Sequence, residues 1–298
     1  MSDTDRHIDL NWRTVEGREP VGDLAAQENF PVAARFLPAQ VRRRLFTLYG
    51  YARLVDDAGD EAEPERRGAL LDAIEADLDR AYTGVRPELP IMRAVAALAA
   101  ECAVPREPFD GLLAANRLDQ TVIRYETFDD LLDYCALSAA PVGRLVLHVF
   151  DAATPARIAR SDKVCAALQV VEHCQDVGED YERGRIYLPQ QDLRRFGCAE
   201  DDLKAATTPT RLRGVVALQT ARARELLDQG APITGSLHGW ARLAVSGYVA
   251  GGRAALAALE RGGHDVLGAR LRPHKARLLG EWVKAGWPPT QPRTNGRR

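Results

Sequence analysis

Four carboxylates crowd six positions of the stretch "YGYARLVDDAGDE": Asp56, Asp57, Asp60 and Glu61. A second acidic set, Glu172, Asp176 and Asp180, stands in "LQVVEHCQDVGEDYERGRIYLP". Like charges one helical turn apart weaken an isolated helix by ~0.2–0.5 kcal/mol per pair, so the crowding needs an offset. Oxygen donors with no His/Cys cluster suit Mg2+ rather than zinc. Mg2+ keeps several waters and bridges carboxylates to substrate phosphates, so such a pair of sites points to diphosphate chemistry. The D-x-[DN]-x-[DN]-G spacing of a calcium loop is absent. Taken alone, the first string also describes a solvated acidic helix end.

A helical wheel separates these readings. At about 100° per residue, Tyr49, Arg53, Asp57 and Asp60 all fall within about 100° of Asp56. The rest of the circumference holds Leu45, Leu48, Tyr51, Ala52, Leu54, Val55 and Ala58. A surface helix shows the reverse, a narrow apolar stripe on a polar cylinder. The second stretch repeats the pattern. Gln169, Glu172, His173 and Asp180 lie within about 60° of Asp176, and most of the remainder is apolar. Two such helices are expected to face each other across a cavity. Their own apolar sides would pack away from it, and other helices, including "CALSAAPVGRLVLHVF", would supply its greasy wall. Arg53 can pair with Asp57 one turn on. Arg185, just past the helix break at Gly184, has the planar fork that grips a diphosphate, although a cation at a helix C-terminus also simply stabilises the dipole. His173 fits a core histidine as well as a functional one.

The elements that must position these groups read as helices throughout. Apolar residues recur at 3–4 spacing, which predicts helices over about 29–36, 39–59, 65–82, 91–101, 107–121, 128–151, 154–181, 201–228, 236–259 and 271–285. Proline breaks at "RPELP", "AVPREP" and "AATP" separate several of them. The expected architecture is an all-α single domain over 23–285, with loose segments at 1–22 and 286–298. The 298 residues are 46% hydrophobic and 28% charged, enough for a sizeable core. A net charge of −2 argues against a generic nucleic-acid binder. Five scattered cysteines without a C-x-x-C read as reduced thiols of a cytoplasmic chain. "MSDTDRHIDLNW" lacks the apolar core of a signal peptide. The basic "GARLRPHKARLLGEWVKAGW", with Trp282 and Trp287, reads either as a peripheral contact with the inner face of an anionic membrane or as a solvated terminal helix.

"YGYARLVDDAGDE" and "QDVGEDYERGRIYLP" together resemble the squalene/phytoene synthases, head-to-head members of the all-α isoprenoid synthases. The resemblance extends to "RYETFDDLLDYCALSAAPVGRLVL" and "GYVAGGRAALAALERGGHDVL". Within the family, "ENFPVAARFLP" and "SAAPVGRLVLHVF" look most like the bacterial hydroxysqualene synthase branch of hopanoid biosynthesis. The resemblance implies Mg2+ ligands at Asp56, Asp60, Asp176 and Asp180, with Asp57 completing the first motif and Glu172 a candidate addition. It implies that Arg53 orders the first motif and that Arg53, Arg185, Asn29 and Tyr49 face the diphosphate. It places Tyr134 where the family has a tyrosine implicated in proton handling. The chain departs from the family pattern at Asn29-Phe30, where Ser-Phe is usual, and at Glu172, where Asn is usual. The family's Ala-Gly kink reads Ala139-Ala140-Pro141.

Three activities follow as expectations. The first is conversion of presqualene diphosphate and water to hydroxysqualene and diphosphate. The second is head-to-head condensation of two prenyl diphosphates, such as farnesyl diphosphate, to presqualene diphosphate, squalene or phytoene. The third is a prenyl-lipid-binding or assembly role without catalysis, which the intact aspartates oppose. Other enzymes of squalene formation are the expected protein partners.

Overall fold

The computed structural model describes residues 37–268. The first helix, α1 (Ala39–Asp56), buries Leu45, Leu48, Tyr51 and Val55 along one face. It then widens into a π-helical turn over Asp57–Glu61. Next come α2 (Pro64–Thr83), α3 (Pro90–Cys102) and α4 (Glu107–Leu118), each with proline in its first turn, where the missing N–H has no partner to lose. The second half holds α5 (Phe128–Ser138), α6 (Ala140–Val149), α7 (Pro155–Gln175) and the short α8 (Val177–Glu182) and α9 (Gln190–Arg195). A 3₁₀ turn over Glu200–Lys204 leads to α10 (Thr210–Gly230), the single turn α11 (Ile233–Ser236) and α12 (Gly239–Arg261). The described residues contain no strand, so the all-α expectation stands; one isolated parallel bridge pairs Arg124 with Ile186.

Two apolar clusters hold the helices. One joins α1 to α4 with Leu145, Val146 and Val149 of α6. The other centres on α7, which packs against α10, α6, α12 and α5. Helix α6 serves both, because Leu147 points to the second cluster. In the first cluster the fully buried Tyr51 sets its ring edge-on to Phe109 at 4.8 Å and donates its hydroxyl to the Phe109 carbonyl at 3.0 Å. An aromatic pair of this kind adds ~0.5–1.5 kcal/mol beyond burial, and it fixes α1 against α4.

Three sequence boundaries move. The expected helix over 128–151 is two helices that meet at Ala139 (φ −110°, ψ −45°). Pro141 has no N–H for the Leu137 carbonyl, so the ladder opens there. The expected helix over 154–181 breaks at Asp176 (φ −105°, ψ 17°), which closes α7 and opens α8. The helix over 201–228 starts only at Thr210, behind Pro209. The helices expected over 29–36 and 271–285 lie outside the described residues, as do Asn29 and the Trp282–Trp287 segment.

Candidate active site

The first motif ends α1 and fills the π turn. Side chains from α2 and from the turn just past α4 take up its backbone groups. Gln120 Nε2 donates to the Gly59 carbonyl at 3.1 Å, and Arg67 Nη2 donates to the Asp60 carbonyl at 3.0 Å. Arg67 Nε also reaches the Ala62 carbonyl at 2.9 Å. Asn116 Nδ2 holds Asp56 Oδ1 at 3.0 Å. π turns inserted in α-helices often mark functional sites, and this one re-aims Asp57 and Asp60 relative to a regular wheel. Glycine at position 59 lets α4 approach closely: a Cβ there would meet Asn116 Oδ1 at 2.3 Å. Gly59→Ala is therefore expected to displace Asn116 and lower stability by ~1–3 kcal/mol, read as a fall in Tm.

The second motif faces the first. Asp56, Asp57, Asp60 and Glu61 line one cavity of about 390 Å³ together with Glu172, Asp176 and Asp180. Arg185 spans it, with Nη2 on Asp60 Oδ1 at 2.6 Å. Arg53 Nη2 pairs with Asp57 Oδ1 at 2.7 Å. Asp180 Oδ2 is buried without a hydrogen bond among the described residues, its nearest basic group being His173 Nδ1 at 3.7 Å.

Electrostatics record the crowding. Asp56 keeps an exposed edge toward the cavity, yet protein atoms surround it densely. That burial pushes its pKa up to about 6, with Asp60 and Asp57 adding to the rise and Asn116 and Arg53 opposing it. The folded state thus holds the proton more tightly than the unfolded chain. Stability from this group is full below about pH 4 and lost as pH rises through about 6. In metal-free buffer at neutral pH, Asp56→Asn is expected to raise stability by ~1 kcal/mol, a figure reduced for the solvent at the open edge. The gain should vanish near pH 4, as thermal melts across pH would show.

A buried aromatic cluster lies at the base of the cavity. Tyr134 and Tyr187 both donate to Asp119, at 2.8 and 3.0 Å. His173 stacks on Tyr187 with ring centroids 3.8 Å apart. Burial raises the Tyr134 phenol well above its usual range, and the Tyr187 and Asp119 neighbours add to it. Tyr134 is therefore a neutral hydrogen-bond donor. Burial also raises the Asp119 carboxyl, against the pull of the Tyr134 hydrogen bond and the Arg185 charge.

Beside the acidic chamber lies an apolar one of about 190 Å³, walled by Val142, Val146, Leu147, Val164, Leu168 and Val245. Ser138, Gln169 and Glu172 line both. A charged compartment joined to a greasy one suits a substrate with a diphosphate head and a hydrocarbon tail.

The sequence model of the family named squalene/phytoene synthase matches residues 25–277. The chain belongs to the squalene/phytoene synthase family. A hydroxysqualene synthase of Sinorhizobium fredii is 37% identical over 223 residues, covering 72% of this chain and 74% of that protein. One of Zymomonas mobilis is 32% identical over 256 residues, covering 85% of each. The crystal structure of squalene synthase HpnC from Alicyclobacillus acidocaldarius superposes with a TM-score of 0.74 at 41% identity, covering 80% of this chain and 91% of that one. Squalene/phytoene synthases process prenyl diphosphates, so this chain is an enzyme of that class. Among the described residues no helix is long and apolar enough to cross a membrane.

Within this family member, Arg53, Tyr134 and Arg185 line the acidic cavity with the aspartates. Tyr49 does not. It shares the angular stripe of Asp56 but sits seven residues earlier, ~10 Å back along the axis. The apolar wall also needs correction: α7 turns Val164 and Leu168 into the greasy chamber instead of packing its whole apolar side away from it. Asn116, Asp119, Gln120 and Tyr187 were missed by the sequence reading. The signal for the first three was "AANRLDQ", where Asn116, Arg117, Asp119 and Gln120 cluster at and just past the end of a helix, whereas Tyr187 had none.

Proposed function

We propose that this enzyme is a Mg2+-dependent hydroxysqualene synthase, converting presqualene diphosphate and water to hydroxysqualene and diphosphate. The observation that carries the reading is the junction of the acidic and apolar chambers, one suited to the head and one to the tail of a single large prenyl diphosphate. The names of the Sinorhizobium and Zymomonas relatives support the choice of product.

The donor set fits Mg2+. It is all carboxylate oxygen, and the buried Asp180 Oδ2 makes no hydrogen bond among the described residues. No three acidic, His or Cys side chains among the described residues already form a closed cage. Mg2+ commonly binds by one or two carboxylates plus substrate phosphates and waters, so an open donor set suits it. Asp56, Asp60, Asp176 and Asp180 would hold the metal, which when bound neutralises charge on the departing diphosphate.

The chain's own residues do the rest. Arg185 leaves Asp60 to grip the diphosphate through its fork, and charge that grows during ionisation strengthens that contact. Arg53 holds Asp57 in the first motif. The apolar chamber keeps the prenyl arms folded and limits premature capture of the cation by water. Tyr134, tied to Asp119, holds a neutral phenol at the cavity base.

Presqualene diphosphate with Mg2+ and no nicotinamide is expected to give hydroxysqualene whose hydroxyl oxygen comes from labelled solvent water. Hydroxysqualene without solvent label would refute water capture. The name of the Alicyclobacillus structure, a squalene synthase, favours a second reading as a condensing prenyltransferase. Consumption of farnesyl diphosphate with no activity on added presqualene diphosphate would establish that one instead.

A further inference from the structure

The seam between the two chambers consists of Ser138 at the end of α5 and Gln169 and Glu172 on one face of α7. Ser138 Oγ is buried there without a hydrogen bond among the described residues. A buried hydroxyl left unpaired costs ~1–3 kcal/mol. Several hydroxyls elsewhere in this fold avoid that penalty by turning back to a carbonyl of the preceding turn, as Thr47, Thr220 and Ser236 do, although Ser246 Oγ, away from the acidic chamber, does not. Ser138 does not, and the residue lines a space shared with a carboxylate and an amide. Gln169 is held in turn: its Nε2 lies 3.3 Å from His173 Nε2, and the His173 ring is clamped on Tyr187.

We propose that Ser138, Gln169 and Glu172 hold the water that ends the reaction, and that Glu172 accepts its proton. The inference rests on the hydroxysqualene reading and adds the residues that make it water-specific. The location follows from the two chambers. The leaving group belongs to the acidic one and the cation to the apolar one. Away from the seam the apolar chamber offers a water only Ser161, which is already paired with Cys165, and the thiol and phenol of Cys165 and Tyr248, with no carboxylate to take a proton, whereas buried waters make about three hydrogen bonds. Among the described residues the seam brings a hydroxyl, an amide and a carboxylate to the edge of both spaces.

The step balances without a redox partner. An oxygen lone pair of the water forms the C–O bond to the cationic carbon. One O–H bond of the resulting oxonium breaks, its electron pair stays on oxygen, and the proton passes to the Glu172 carboxylate. The net reaction is diphosphate ester plus water to alcohol, diphosphate and a proton, which leaves Glu172 for bulk solvent as product departs. A carboxylate next to a carbocation also stabilises it electrostatically. An amide at position 172 could hold the water but not take the proton.

The test measures diphosphate release and organic products together from presqualene diphosphate. Glu172→Gln is expected to release diphosphate within a few-fold of the parent rate while the hydroxysqualene share of product falls by at least ~10-fold, replaced by elimination hydrocarbons or a rearranged alcohol. Ser138→Ala removes only a hydroxyl and should shift the same ratio by ~2–5-fold; it decides the matter if Glu172→Gln fails to fold. An unchanged product ratio in the folded variants overturns the inference alone. So does a Glu172→Gln enzyme that loses diphosphate release until Mg2+ is raised at least ~10-fold, because Glu172 would then be a metal ligand. A parent enzyme that makes no hydroxysqualene overturns the parent reading and this inference with it.

Discussion

Asp176→Asn is expected to lower kcat by ~10²–10³-fold while the protein stays folded. The two halves of this result have separate causes. Asp176 sits at the junction of α7 and α8 with no side-chain cap on α8, so replacing its carboxylate removes no helix-terminating bond. It lines the acidic cavity with Asp180, and removing one of several crowded like charges relieves repulsion. Activity is another matter. If the carboxylates position the metal that receives the diphosphate, each is used mainly as charge builds on the leaving group. Loss should then appear in kcat more than in KM. Circular dichroism and a melting curve on the same preparation check the first half, and steady-state release of diphosphate checks the second. Recovery of only insoluble Asp176→Asn and Asp56→Asn protein would assign these residues a structural role instead.

How much of this was readable in the residue string depends on which interactions are local. The all-α architecture follows from 3–4 spacing alone, and so does the placement of both acidic stripes on helices. The breaks were partly legible. Pro141 announces the split between α5 and α6, but a reading by periodicity runs through it because the apolar pattern continues on both sides. The break at Asp176 has no proline or glycine at the residue itself. The π turn over Asp57–Glu61 was invisible. Its carbonyls are taken up by Arg67 and Gln120, the latter about 60 residues away in sequence, and Asn116 holds the Asp56 carboxylate just before it. Asp119 and Tyr187 were missed for the same reason. Their significance is a shared hydrogen bond between the end of α4 and the loop after α8, two segments brought side by side through the Arg124–Ile186 bridge.

The same geometry sets the expected response to ligands. Mg2+ alone should raise Tm only slightly, because no closed cage among the described residues replaces its water shell. Diphosphate alone should also bind weakly, since it must enter a cavity lined by Asp56, Asp60, Asp176 and Asp180, with Asp60 already holding Arg185. Together each removes the other's obstacle. The metal neutralises the carboxylates that repel diphosphate, and diphosphate supplies the oxygens that the carboxylates do not. At about a hundredfold over the joint Kd, binding to the folded state alone stabilises it by ~2.7 kcal/mol. For a chain of this size that corresponds to a rise of roughly 4 °C. The signature is the excess of the joint shift over the sum of the separate ones, measured in the same buffer. Asp176→Asn should remove most of that excess and leave the ligand-free Tm nearly unchanged. Simple additivity, or a full shift with diphosphate in the presence of a chelator, would mean that the anion is held by Arg185 and its basic neighbours rather than through a metal on the aspartates. The excess separates these cases because repulsion among the carboxylates is present in the free enzyme whichever ligand arrives first, and only a cation lying between carboxylates and phosphate relieves it for both.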